Sequence, residues 1–315
     1  MRGRRYPDNA RRVGRRPPTT GITLPRARRL LSRPAQGLLL VAPALILIFM
    51  VLFFPALYGF YYSLFDIRFL VPGDFIGLDN YARLIRDPSV QATVMRSAVF
   101  TFFAVGSALA IGLALAVWLN RLSGLWAWST QIVVIVPWAI SAVVGALLFR
   151  WVFVSDIGLL VYVLDLLNVG RVEPLNSPAT AMALLVMVAC WRTLGFAVIL
   201  MLSGLKSIPP EYFEAAVVDG ASGWQSFVAI TLPLLKTPVL ITLVVLTLSN
   251  LNNVETPLIT TGGGPGGTTN ILPLDLYNRA FAYFDFASAI SLAIGMFIAN
   301  IVLVLSYVRL VRWRA

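Results

Sequence analysis

Residues 214–233 read EAAVVDGASGWQSFVAITLP, a short polar segment punctuated by Ala and Gly and set between two apolar runs near bilayer length. Pro209 and Pro210 suit the first turn of a helix, where a missing N–H leaves nothing unsatisfied, and Glu211 and Glu214 sit near its positive N-terminal end. Gly220 suits the left-handed conformation that stops a helix. The expectation is a short helix, a sharp break and a second short helix from about Trp224 to Leu232. Ala215 and Ala216 remove bulk from one face, which lets the first helix enter a groove on a partner protein. The plainer reading is a solvated loop that only connects two helices.

The flanks set the class. The chain has 315 residues, 58% of them hydrophobic and only 12% charged, with a mean hydropathy of +0.82. An ordinary soluble domain carries about 25% charged residues. A spanning helix needs about 20 mostly apolar residues, and six stretches qualify: about 37–64, 97–119, 129–149, 179–203, 237–256 and 286–308. The expectation is an all-α membrane protein of six spans in one domain, residues 37–311, without a convincing internal repeat.

Charge orients it. Residues 1–36 hold eleven Arg against the single Asp8, and Arg309, Arg312 and Arg314 follow the last span with no acid. Under the positive-inside rule both ends are cytoplasmic, and an even number of spans agrees with that. The outer connections 66–96, 150–178 and 257–285 are balanced or acidic. The polar segment then lies in a cytoplasmic loop, about 206–236. The Arg-rich start admits an export signal, through Arg28 and Arg29, or a surface for anionic lipid or nucleic acid. The favoured reading is an unstructured tail that fixes topology, with no nucleic-acid partner. The first apolar run is too long for a cleaved signal, so it stays as a span.

Reactive side chains are few. With no His and a single Cys190, the usual zinc sites, Ser-His-Asp triads and disulfides within the chain are excluded. Residues 262–267, GGGPGG, lack the Lys-Ser/Thr ending of a phosphate-cradling loop and read as a tight outer turn. No catalytic or metal-binding residue is expected. If the protein uses ATP, another chain binds it.

The pattern Glu214-Ala215-Ala216, three residues, Gly220, nine residues, then Ile230-x-Leu232-Pro233, with Asp219 before the Gly, resembles the EAA loop of the membrane subunits of bacterial ATP-binding-cassette importers. The segments SIPPEYFEAAVVDGAS, Thr261 through Pro265 (TGGGP) and Asn250 through Asn253 (NLNN) resemble carbohydrate-importer permeases of the maltose-permease type. The resemblance covers roughly residues 37–311, not the Arg-rich tail. It implies a type I importer permease of the bacterial cytoplasmic membrane whose coupling helix docks into an ATPase, with Glu214, Ala215, Ala216, Asp219 and Gly220 in that contact. It further implies a second homologous permease, an ATPase dimer that carries the ATP and Mg, an extracytoplasmic solute-binding protein and a sugar substrate.

A depth argument, independent of the family, places a substrate site. Lys206 and Lys236 mark the cytoplasmic ends of spans four and five, and each is 14 residues from a polar cluster: Trp191-Arg192-Thr193 going back, Asn250 going forward. At 1.5 Å per residue both clusters lie about 21 Å from that boundary, in a core about 30 Å thick. Only 13 residues separate Lys236 from Asn250, so the fifth helix must carry Asn250, Asn252 and Asn253 into the bilayer. Buried amides and a guanidinium belong against a partner helix or a water-filled cavity. Asn matches sugar hydroxyls, while Trp191 and Phe196 offer flat faces for sugar rings.

The resemblance implies sugar contact for Trp191, Thr193, Phe196, Asn250 and Asn253. Helix–helix hydrogen bonding and aromatic packing are the competing reading. Two departures from the maltose-type pattern matter: Ser249 stands where an aromatic is expected, and Arg192 puts a charge in the pocket. Both suit a different glycoside, an anionic one or a sugar phosphate among them. An importer for amino acids, polyols or polyamines, a stand-alone secondary transporter and an intramembrane enzyme are the alternatives. The first would keep the coupling loop, the second has no need of one, and the third is disfavoured by the missing His.

Overall fold

The computed structural model describes residues 33–68, 71–155, 157–168 and 173–312. The Arg-rich tail expected to be disordered lies outside the described residues, apart from 33–36, which open the first helix. The chain falls into two units, divided after Phe53. The first contains α1 (Arg33–Ile48) and a π-helical turn (Phe49–Phe53). Its apolar side chains from Leu45 to Phe53 are exposed, as expected of a surface made for lipid.

The second unit begins with α2 (Phe54–Tyr62), an antiparallel hairpin of β1 (Phe65–Arg68) and β2 (Val71–Phe75), and α3 (Asp79–Arg86). Asn80 ties them together, its amide donating to the carbonyls of Ser63 and Phe65 at 2.9 Å each. There follow α4 (Pro88–Leu119), α5 (Gly124–Ala139), α6 (Ala142–Phe153), α7 (Leu159–Leu166) and α8 (Pro178–Lys206). The remainder is α9 (Glu211–Val218), α10 (Gly223–Ser226), a π-turn (Phe227–Thr231), α11 (Leu232–Leu234), α12 (Lys236–Leu251), α13 (Glu255–Thr260), α14 (Leu272–Tyr277), a π-turn (Asn278–Ala282) and α15 (Phe286–Arg312).

Helix α8 is the centre of the bundle. More than half of its apolar window is buried, against α4, α5 and α12. Small residues permit the approach: a Cβ on Gly112 would lie 3.0 Å from the Ala197 Cβ, and one on Gly195 only 2.5 Å from the Val134 carbonyl oxygen. The core that results joins Ala116, Leu119, Val198, Met201, Leu202, Leu205 and Leu235. Such small-residue contacts suit membrane bundles, where van der Waals packing replaces the hydrophobic drive between helices.

Among the described residues four helices are long and apolar enough to cross a membrane, and six when each of two bent pairs counts as one span. The six-span expectation therefore needs correction in shape. The third span is not one rod: α5 and α6 meet at 95° around Ile140 and Ser141. Pro137 lies in the last turn of α5, and Ile140 is extended at ψ 138°. The fifth stops at Leu251, five residues earlier than expected, and a 63° bend precedes it. The second starts earlier, at Pro88, because Asp87 accepts the Ser89 N–H at 2.8 Å and starts α4 there, and the sixth runs on to Arg312.

The 262–267 turn is tight. Gly262, Gly263, Gly266 and Gly267 all have positive φ, between 57° and 86°. Its fold is held by the Gly262 N–H to the Pro257 carbonyl at 2.9 Å and by Thr269 Oγ1 to Thr261 Oγ1 at 2.8 Å.

Candidate functional site

The break after α9 is built from backbone geometry. The Phe213 and Glu214 N–H groups donate to the Pro210 carbonyl at 2.9 and 3.1 Å, which starts the helix where the prolines predict. It ends when Gly220, at φ +73°, reverses the chain. The Gly220 N–H then meets the Val217 carbonyl at 3.1 Å and the Ala221 N–H meets that of Ala216 at 2.9 Å, a Schellman closure. Ser222 and Gln225 cap α10 reciprocally, side chain to backbone in both directions, at 3.3 and 2.7 Å.

This break presents apolar side chains that the described residues leave largely uncovered. Val217, Val218 and Trp224 are 72%, 87% and 72% exposed, and Tyr212 is half exposed. Glu214, Ala215, Asp219 and Gly220 are exposed with them. Ala216 departs from the expectation: it is buried against the chain, so Ala215 alone gives the open face its lack of bulk. The α-helical period explains it, because adjacent residues point about 100° apart.

The second cluster lies between α8 and α12. Arg192 Nη2 donates to Ser249 Oγ at 3.3 Å, which joins α8 to α12 one residue before the Asn250 that the count set level with Arg192. Trp191 packs edge-on against Phe149 of α6, centroids 5.0 Å apart, and Phe196 lies 5.7 Å from Trp138 of α5. Both sequence-selected aromatics therefore face the two halves of the broken third span.

Other members turn inward. The Thr193 hydroxyl donates to the Ala189 carbonyl at 2.8 Å, and the Asn250 amide to the Leu246 carbonyl at 2.8 Å, each within its own helix and buried. Asn253 is not helical, against expectation. It caps α13, its Oδ1 accepting from the Thr256 N–H at 2.9 Å and its amide donating to the Glu255 carboxylate at 2.8 Å. Asn252, exposed, accepts from Asn300 of α15 at 3.1 Å. The helix breaks here because these side chains offer the backbone alternative partners.

Sequence reading missed Glu255, Phe149 and Trp138. Asn253-Val254-Glu255-Thr256 is an N-terminal capping signature that would have exposed the first; the aromatics gave no signal, since their role depends on the bend. Arg150 was also missed: its Nη1 donates to the Ile259 carbonyl at 3.0 Å, joining α6 to α13. A cavity of about 540 Å³ opens elsewhere, between α4, α12 and α15, with a mostly apolar lining that includes Thr247, Asn300 and Tyr307. Neither Arg192 nor Asn250 lines it.

Bent spans around a central helix, with an exposed helix–glycine–helix break, are the architecture of a membrane-embedded helical protein. The chain belongs to the family described as binding-protein-dependent transport system inner membrane component, whose family model matches residues 106–315. It is similar to the sulfoquinovosyl glycerol transport system permease protein SmoG of Agrobacterium fabrum, 32% identical over 88% of this chain and 90% of the relative. It is also similar to the trehalose/maltose transport system permease protein MalF of Thermococcus litoralis, 31% identical over 88% and 94%.

The fold matches a crystal structure of a bacterial ABC transporter involved in the import of the acidic polysaccharide alginate, with a TM-score of 0.73 at 21% identity over 89% of this chain and 99% of that one. A second structure, of such a transporter in complex with an alginate pentasaccharide-bound periplasmic protein, gives 0.74 at 21% identity over 86% and 93%. The architecture is that of a type I ABC importer permease, and the chain is a permease subunit of a binding-protein-dependent ABC transporter, resident in a membrane.

Proposed function

We propose that this permease carries a sugar inward across a bacterial cytoplasmic membrane, as half of a translocation pathway completed by a second, homologous permease. Two copies of an ATPase bind the ATP and Mg; this chain holds no cofactor or metal. An extracytoplasmic solute-binding protein delivers the sugar, and the permeases rock between outward and inward states. The termini and the α9–α11 segment face the cytoplasm, in keeping with the Arg distribution. Relatives named for sulfoquinovosyl glycerol and trehalose/maltose support the sugar reading.

The observation that carries the reading is the exposed break around Gly220. Val217, Val218 and Trp224 stand exposed on an element closed at Gly220 and capped at Ser222, the form of a helix that seats in a groove. Glu214, Ala215, Asp219 and Gly220 make the ATPase contact, with Ala216 supporting them from below. Trp191, Arg192, Thr193, Phe196, Ser249, Asn250 and Asn253 line or support the sugar path.

Cysteine labelling and co-purification test it. A cysteine at Ser89 should react with an impermeant thiol reagent from outside, and one at Ser222 only after permeabilisation. Val218→Asp should abolish co-purification with the ATPase while leaving membrane insertion intact. External labelling at 222, or an intact complex with Val218→Asp, would overturn the docking assignment.

A further inference from the structure

We infer that the pathway selects an anionic glycoside, with Arg192 reading a carboxylate or sulfonate on the sugar; this rests on the sugar-importer reading and narrows its substrate class. A guanidinium offers five donors. In Arg192 the only described hydrogen bond is the 3.3 Å contact to Ser249, and Nε is buried with no partner among the described residues. No carboxylate among them lies within 4.0 Å of it. Glu255 is the acid whose field reaches it, yet among the described residues no hydrogen bond or ion pair joins the two.

Such an Arg needs an occupant. A charge placed within a span is costly unless it faces a polar cavity or a partner, and it marks a substrate path when it does. Depth argues against a lipid phosphate on the Lys206 side: 14 helical residues separate Lys206 from Arg192, about 21 Å at 1.5 Å per residue. The surroundings argue for a sugar. Trp191, partly exposed, precedes Arg192 on α8, and the Ser249 hydroxyl stands beside its Nη2, which sets an aromatic side chain and a hydroxyl near a cation. The planar fork of Arg binds two oxygens of one oxyanion at once, which a neutral hydroxyl cannot offer. Ser249, where the related pattern has an aromatic, keeps the space beside Nη2 small and polar.

The test uses the permease–ATPase complex in nanodiscs without the solute-binding protein, so that only the membrane site is read. Equilibrium binding is measured for methyl β-D-glucoside and methyl β-D-glucuronide, which differ only in the C6 carboxylate, and for a 6-sulfonated glucoside. Wild type should bind both anions at least tenfold more tightly than the glucoside. Arg192→Gln should erase that difference, lowering anion affinity at least fivefold more than glucoside affinity, and Arg192→Lys should retain part of it. Equal wild-type binding of all three overturns the anion assignment but leaves the sugar path standing, as would be seen if a carboxylate of the second permease already neutralised Arg192. Loss of all three alike in both Arg192 variants makes the residue structural and also overturns it. No binding of any of the three in wild type fails the sugar path itself, and the anion assignment with it.

Discussion

Gly204 of α8 packs on Pro238 of α12 so closely that a Cβ would lie 2.6 Å from the Pro238 Cγ and 2.9 Å from the Leu235 Cδ2. These two helices flank the polar loop, and this contact pins its base. Leu235 beside it is fully buried in the main core.

Gly204→Ala should therefore force the helices apart. Overpacking of this kind costs about 1–3 kcal/mol, visible as a drop of several degrees in thermal unfolding of the detergent-solubilised protein. Pro238→Ala in the same chain should recover part of the loss by removing the Cγ. An unchanged melting temperature for Gly204→Ala would show the contact to be slack.

Around Gly220 a Cβ meets nothing within 4 Å, so substitution there acts through backbone strain alone, at φ +73°. A β-branched residue in that conformation costs about 1–2 kcal/mol, whereas Asn tolerates it. Gly220→Val should uncouple ATP hydrolysis from transport in the assembled complex while Gly220→Asn keeps most of it. Equal behaviour of the two variants would remove the break from the coupling role.

For Asn253 the cap and the sugar path make different predictions. Asn253→Ser preserves a side-chain oxygen for the Thr256 N–H but deletes the amide; Asn253→Leu deletes both. Loss of the cap costs about 1 kcal/mol. If Asn253 touches substrate, apparent affinity at the permease should fall several-fold in both variants. Full transport by Asn253→Ser, with loss only in Asn253→Leu, assigns it to capping alone. Asn250→Leu completes the set: it should weaken transport while affinity at the separate solute-binding protein stays unchanged.

At the other end of the bundle from the polar loop, Arg279 lies 2.8 Å from Asp275 and 3.2 Å from Asp87, tying the segment before α15 to the start of α4. Burial alone would lower its pKa, yet Asp275 and then Asp87 raise it, so it stays charged. Asp87 is held below the usual carboxylate range, chiefly by the Ser89 side chain and N–H, with Arg279 assisting. A depressed acid stabilises the fold above its unfolded pKa of 3.8, and that contribution disappears as pH falls through the lower folded value. Asp87→Asn should flatten the acid limb of a stability–pH curve below about pH 4. Arg279→Met should do more, since it leaves the buried Asp275 carboxylate without its cation, at about 3 kcal/mol or more at neutral pH. A neutral Arg279→Met would mean that Asn270, which also donates to Asp275, suffices.

Much of this was legible. Hydropathy located the apolar runs of six spans, two of them bent, the helix-stopping Gly220 was read from its neighbours, and the count from Lys206 and Lys236 set Arg192 beside the part of α12 that its guanidinium meets at Ser249. What escaped has a common cause: a bend is decided by packing, and hydropathy is blind to direction. The run 129–149 is apolar throughout, and only Pro137 hints that it turns. Likewise Asn250, Asn252 and Asn253 looked alike in sequence, yet their bonds to Leu246, Asn300 and Thr256 send them to three different tasks. Ala216 was misplaced because a pair of small residues gives no sign of which one faces in.

The 95° turn between α5 and α6 has a mechanical meaning. Two rods joined near a right angle form a bell crank, so a thrust along the axis of α5 becomes a sweep across the length of α6. The axis of α5 is gripped by α8 at Gly195, and α8 leads to the loop that carries Gly220. The far arm is hydrogen-bonded to α13 through Arg150 and the Ile259 carbonyl, which links the bend to the segment that follows the fifth span.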